Sequence, residues 1–265
     1  MKRYIIAIVF LVCNTLIYCQ ESENTDININ VCLGLTKYTS NDQLINYFNY
    51  SGKSFLPVNL NVSYCNNKNL FLLTGFFNHV KLYPKNLPQT FYEYNYIKQW
   101  HVELGFEFYR QVLRINKYLL AYIGVSNNSF LILQQEDYKN LLYDNSQGYR
   151  KSYDYSLINI SPDLLINFNL HKIEIIVKAG YTLINYASRP DDNYVKQIGL
   201  KNDFRWKLYL PKTYTGIQFS LFYQYNLSKK MSMCAEYNVK YHSYSSPNAC
   251  KYLQKSYLVG VTKSF

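Results

Sequence analysis

Beyond its first nineteen residues the chain has no stretch of 18 uninterrupted apolar residues, which excludes a later spanning helix. Glycine is scarce, ten in 265 residues, and no glycine-rich phosphate loop occurs. The six cysteines show no paired ligand spacing, so no metal centre is expected. Nothing points to a cofactor. Tyrosine is what the chain has in quantity, thirty against two tryptophans. Tyrosine is amphipathic and concentrates where a membrane meets water. AT-rich codon usage would also inflate Tyr, Asn, Ile and Lys, and both causes stand.

Lys2 and Arg3 precede the apolar run Ile5–Val12, and a polar tail starts at Gln20-Glu21-Ser22. That layout is a secretory signal peptide read by the Sec pathway. The expected organisation is a signal over 1–19 and one domain over 20–265. A lipidated Cys19 is the alternative, although Ile17-Tyr18 lacks the small residue that processing favours. Without Lys2 and Arg3 the mature chain carries 26 Lys+Arg against 17 Asp+Glu, so net charge falls from +11 to +9. Export excludes nucleic acid as a partner. It permits oxidation of the remaining Cys32, Cys65, Cys234 and Cys250, but spacing does not fix their connectivity.

Alternating segments follow, joined by two kinds of link. Short polar links fall at Asn66–Asn69, Leu113–Lys117, His171-Lys172 and Ser228–Lys230. Long Tyr/Asp/Lys-rich links fall at about 40–56, 84–97, 127–152, 187–212 and 243–250. The two kinds take turns, which is the asymmetry of outer-membrane barrels. The segments predict ten strands, at 31–39, 57–65, 70–83, 98–112, 117–126, 153–169, 172–186, 213–227, 230–242 and 251–265. The expected fold is therefore all-β, a transmembrane antiparallel up-and-down barrel, with eight or twelve strands as alternatives. Spanning strands need roughly 9–11 residues, and these reach that length. The last one ends on an aromatic, Phe265, as strands bound for outer-membrane insertion commonly do.

Period-2 alternation is clear in several strands. Trp100, Val102, Leu104, Phe106 and Phe108 oppose His101, Glu103, Gly105 and Glu107. Ile217, Phe219, Leu221, Tyr223 and Tyr225 oppose Gln218, Ser220, Gln224 and Asn226. The same holds around Glu174 and Lys178, and around Glu236, Lys240 and His242. Leu70–Phe77 is apolar on both faces and gives no facing. On this map Cys32 and Cys65 lie near one rim on neighbouring strands, which makes a disulfide between them possible. Cys234 and Cys250 lie near opposite rims.

Tyr223-Gln-Tyr-Asn-Leu-Ser-Lys-Lys-Met-Ser-Met, with Glu236, Tyr237 and the Tyr257–Phe265 ending, resembles the Bacteroidota outer-membrane β-barrel families, PorT-like proteins among them. Leu56-Pro57-Val58-Asn59-Leu60 and Lys178-Ala179-Gly180-Tyr181 add to it. The resemblance implies a small barrel in the bacterial outer membrane and carries no catalytic residues across.

The polar faces converge on a charge network of His101, Glu103, Glu107, Glu174, Lys178, Glu236, Lys240 and His242. Charges are costly to bury alone, so pairing across the lumen is expected. A plugged lumen is the first reading, and a narrow passive porin-like channel is the alternative. In the fourth long link, Arg189, Lys196, Lys201, Arg205, Lys207 and Lys212 would meet lipopolysaccharide phosphates or a surface or periplasmic protein. The expected role is structural or in cell-surface interaction, with outer-membrane lipid as surroundings, and not enzymatic. Three weaker readings remain. A lipid A deacylase-like hydrolase would rest on His242 beside Ser243. A protease would need Asp154, Asp191, Asp192 and His242 at the outer rim. A metal site would need His79, His101 and His242 together.

Overall fold

The computed structural model describes residues 25–42, 49–66, 68–84, 95–115, 118–138, 150–188, 206–245 and 250–265. Twelve strand segments run through them. They are β1 (Thr25–Asp42), β2 (Asn49–Asn66), β3 (Asn69–Pro84), β4 (Asn95–Ile115), β5 (Leu119–Tyr138) and β6 (Arg150–Leu170). β7 (Ile173–Thr182) and β8 (Ile184–Ser188) follow, then β9 (Trp206–Tyr209), β10 (Tyr214–Asn226), β11 (Met231–Tyr244) and β12 (Cys250–Ser264). β7 and β8 both pair with β6, and form one stave interrupted at Leu183. β9 pairs with β8 and β10 with β7, so they form another stave across the turn at 210–213. Among the described residues the staves number ten. All pairings are antiparallel, β1 pairs β12, and β5 pairs β6, which closes the ring.

Irregularities mark where the wall bends. Asp163 pairs Gly180 and Ile160 pairs Ile184, so three residues of the β7–β8 stave oppose two of β6. The extra Leu183 still donates its N–H to the Ile160 carbonyl at 3.0 Å. In β2, Leu56 and Pro57 together oppose Gly34, and Leu56 takes a positive φ of 65°. A proline has no N–H for a ladder, so a bulge is where a strand tolerates one.

The walls alternate as a membrane barrel requires. Outward positions of the central band are aliphatic and aromatic, with Leu104 62% and Val259 66% exposed. Inward positions are mostly polar or tyrosine, with apolar side chains such as Phe76, Val80, Leu165 and Leu258 among them. The facing of β3 is settled by its neighbour. Phe71, Leu73 and Phe77 register with outward Phe108, Phe106 and Val102, leaving Leu70, Leu72 and Phe76 inside.

The strands are longer than the apolar pattern indicates, chiefly on the rim away from the tight turns. β5 continues to Tyr138 and β6 starts at Arg150, inside the stretch read as a loop over 127–152. β9 lies within the one read over 187–212. The reason is that backbone pairing persists where hydrocarbon ends, while the side chains no longer need to be apolar. β4 has 21 residues, about 65 Å at roughly 3.3 Å each and about 50 Å tall at a tilt near 40°, against an apolar band of about 25 Å. The signal segment 1–19 lies outside the described residues.

Candidate functional site in the lumen

Three layers of side chains fill the barrel between its rims. Nearest the tight turns, Tyr109, Tyr122 and Leu165 are buried against Leu70, Leu72, Leu120 and Ile176. Toward the other rim lie two aromatic clusters, Tyr38, Tyr50, Val80, Leu82 and Tyr252, and Phe130, Ala187, Tyr209, Tyr214 and Tyr244. Glu103, Glu107, Lys178, Glu236 and Lys240 occupy the space between, whereas Glu174 lies on the turn side, two residues beyond the 171–172 turn.

In that middle layer Lys178 Nζ donates to Glu107 Oε1 at 2.5 Å, joining β7 to β4 across the lumen. Tyr109 Oη donates to Glu107 Oε2 at 2.8 Å and lies 3.1 Å from Asp163 Oδ2. Gln218 Nε2 reaches Asp163 Oδ1 at 3.1 Å, and Gln218 Oε1 accepts from Asn128 Nδ2 at 3.0 Å. Lys240 pairs with Glu103, tying β11 to β4. Glu236 is held by amides. It accepts from Asn59 Nδ2 at 2.7 Å and Asn238 Nδ2 at 2.8 Å. Glu174 likewise accepts from Asn167 Nδ2 at 2.6 Å. A polar cavity of about 40 Å³ remains, lined by Glu103, Glu107, Glu236, Lys178 and Lys240 among others. That is room for a few water molecules, not for a solute.

The histidines sit apart from the ion pairs. His101 Nδ1 is 3.3 Å from Tyr38 Oη and 3.4 Å from Tyr252 Oη. Asn78 Nδ2 in turn donates to Tyr38 Oη at 2.7 Å. His242 Nδ1 is 2.5 Å from Tyr214 Oη, which donates to Asn159 Oδ1 at 3.3 Å. Asn185 Nδ2 donates to the same oxygen at 2.6 Å. Both rings pack on Phe130, at centroid distances of 5.7 and 5.2 Å. They belong to an aromatic–amide layer and not to the carboxylate network.

Several sequence readings change here. His79 faces outward and stacks on Trp100 at 4.1 Å between centroids, whereas His101 is buried inside, so the three-histidine metal reading fails. No group of three or more His, Cys, Asp or Glu able to hold a metal occurs among the described residues. Ser243 is on the opposite face of β11 from His242, which is buried against Tyr214, so the hydrolase pair is not assembled. Asp154 lies in β6, while Asp191 and Asp192 lie outside the described residues, as do Arg189, Lys196, Lys201 and Arg205. Lys207 is in β9, and Lys212 is in the turn before β10.

Cys32 does not meet Cys65, which registers with Asp26 at the turn rim. It meets Cys234 at 3.4 Å, and both thiols donate to Asn30 Oδ1, at 3.2 and 3.0 Å. Both also register with Gly260, on either side of β12. A β-carbon at Gly260 would strike the Val31 carbonyl and the Cys32 side chain.

The sequence reading omits Asp163, Tyr109 and Asn128 from the middle layer, and it places tyrosine at the membrane surface rather than inside. Among the described residues, eight tyrosines (38, 50, 109, 122, 209, 214, 244 and 252) are buried in the barrel. The signal for Asp163 is present in β6, where Asn159, Ser161, Asp163 and Leu165 alternate with Ile158, Ile160, Pro162 and Leu164.

No protein-family model and no curated protein matches the chain. Solved structures similar to it are outer-membrane barrels. The outer membrane protease OmpT of Escherichia coli is 9% identical, the match covers 93% of this chain and 99% of that one, and the TM-score is 0.48. Neisserial surface protein A is 10% identical over 93% and 100%, with a TM-score of 0.36. Ail, the attachment invasion locus protein of Yersinia pestis, is 9% identical over 90% and 99%, with a TM-score of 0.35.

Proposed function

We propose that the chain is a bacterial outer-membrane barrel whose lumen is sealed and whose role is structural or interactive at the cell surface. The observation that carries this reading is the lumen itself. Two aromatic–aliphatic layers flank paired charges, and the polar cavity left between them is about 40 Å³. A barrel filled in this way holds its shape and passes no solute. Its contacts with other molecules are then made by its outer wall and its long-loop rim. The Sec-type leader, the Bacteroidota-style sequence and the lipid-facing apolar band support delivery to that membrane.

The test is reconstitution of the mature chain into planar bilayers, with folding checked by heat-modifiable gel migration. A folded, inserted barrel should show no discrete conductance steps. Regular steps in the folded protein would overturn the sealed reading in favour of the passive channel.

A further inference from the structure

Above its apolar band, the outer wall gathers basic residues on one side. Lys37 of β1 pairs in register with Lys255 of β12 and with Lys53 of β2. Lys81 of β3 pairs with Lys98 of β4. The pairing of Ser51 with Tyr83 brings β2 and β3 together so that Lys53 and Lys81 hold matching positions. Five neighbouring staves thus present five outward lysines in one row that climbs with the strand tilt. Each follows the apolar run of its strand, and Tyr257, Leu35, Phe77 and Trp100 lie below the row on the same face. Among the described side chains of β1, β2 and β12, no aspartate or glutamate occupies an outward position. Continued along the same ladder, the row meets uncharged residues, Gln135 and Ser152 beyond Lys98, and Val239 and Phe219 beyond Lys255.

Like charges directly opposite one another on neighbouring strands are destabilising, so the Lys53–Lys37–Lys255 row gains from an anion laid across it. Its position selects the source. The lysines lie where the hydrocarbon band gives way to head groups, toward the rim away from the tight turns. We infer that this row binds the phosphates of a phosphorylated glycolipid in the outer leaflet, with acyl chains lying against the apolar band below. The inference rests on the outer-membrane reading. It adds the barrel wall as a glycolipid contact beside the fourth long loop expected from the sequence.

The experiment uses the mature chain in neutral detergent with Trp206→Phe, so that Trp100, on the same face as Lys98, reports binding of diphosphoryl lipid A. Attraction of about 1 kcal/mol per lysine near an anionic surface predicts that Lys37→Gln/Lys53→Gln/Lys255→Gln weakens binding on the order of 100-fold. The control Lys172→Gln/Lys230→Gln/Lys263→Gln, at the turn rim, should leave it within a few-fold. Lipid A stripped of its phosphates, and phosphatidylglycerol, should each bind far more weakly. Equal loss in both triple variants, or equal binding of the stripped lipid or phosphatidylglycerol, overturns the glycolipid site while leaving a folded barrel. A wild-type chain that never shows heat-modifiable folding in detergent overturns the outer-membrane reading, and the site with it.

Discussion

The middle of the lumen and its turn-side end solve the same packing problem with opposite chemistries. Near the tight turns, Leu165, Tyr122 and Tyr109 fill the barrel as a miniature of a soluble core. One layer up, Glu107–Lys178 and Glu103–Lys240 fill it with ion pairs. Tyr109 belongs to both, its ring in the apolar layer and its hydroxyl on Glu107. The difference shows what the apolar layers do for the charges. They leave room for only a few water molecules, so the charges pair with one another and each partner depends on the other.

The charged layer is where a single substitution should do most damage. Glu107→Ala leaves Lys178 without its carboxylate, and removing one partner of a buried pair typically costs about 3–5 kcal/mol. The double variant Glu107→Leu/Lys178→Met should recover most of that loss, because a well-packed apolar pair of similar volume is often neutral. Urea unfolding of the detergent-folded barrel, followed by tryptophan emission, measures both. A double variant as unstable as the single one would show that the charges do more than fill space.

In the apolar layer the cost has a different origin. Leu165→Ala should cost about 2–5 kcal/mol through lost burial and the cavity left behind, with no rescue available from any charge change. The same unfolding assay applied to Leu104→Lys sets the inside against the outside. A lysine at the centre of the lipid-facing band should cost about 2–4 kcal/mol in vesicles. Moved along the outward face of β4 toward either rim, the same substitution should cost progressively less.

How far the sequence shows these layers depends on periodicity. Where one face meets hydrocarbon and the other meets polar groups, as in β4, β10 and β11, alternation reveals both the strand and its facing. The ten staves, the short turns and the inward Glu103, Glu107, Lys178 and Lys240 follow from that. Alternation fails where both faces are apolar, as in β3, whose inward Leu70 and Leu72 are legible only through register with β4. It fails again beyond the membrane band, where Gln134, Gln135 and Glu136 of β5 pair with Tyr153, Ser152 and Lys151 of β6 and no apolar stripe marks them. The bulges at Leu56-Pro57 and Leu183 shift facing by one residue, so distant inward partners cannot be counted off the chain. Cys32 with Cys234 and His242 with Tyr214 lie on ladders without a bulge, and register alone brings them together.

The smallest expected effect concerns that cysteine pair. The two thiols are 3.4 Å apart, yet they belong to strands on either side of β12. Next-nearest strands are separated by about two strand spacings, roughly 9.5 Å, while a disulfide needs α-carbons within about 7 Å. Bridging would require β12 to leave the wall between them. In a Cys65→Ala/Cys250→Ala background, the protein purified without reductant should therefore release two alkylatable thiols on unfolding. Cys32→Ala should change stability by about 1 kcal/mol or less, the scale of one weak hydrogen bond. Recovery of an unreactive, reductant-sensitive pair would mean that the seam between the first and last strands opens far enough to let the flanking strands meet.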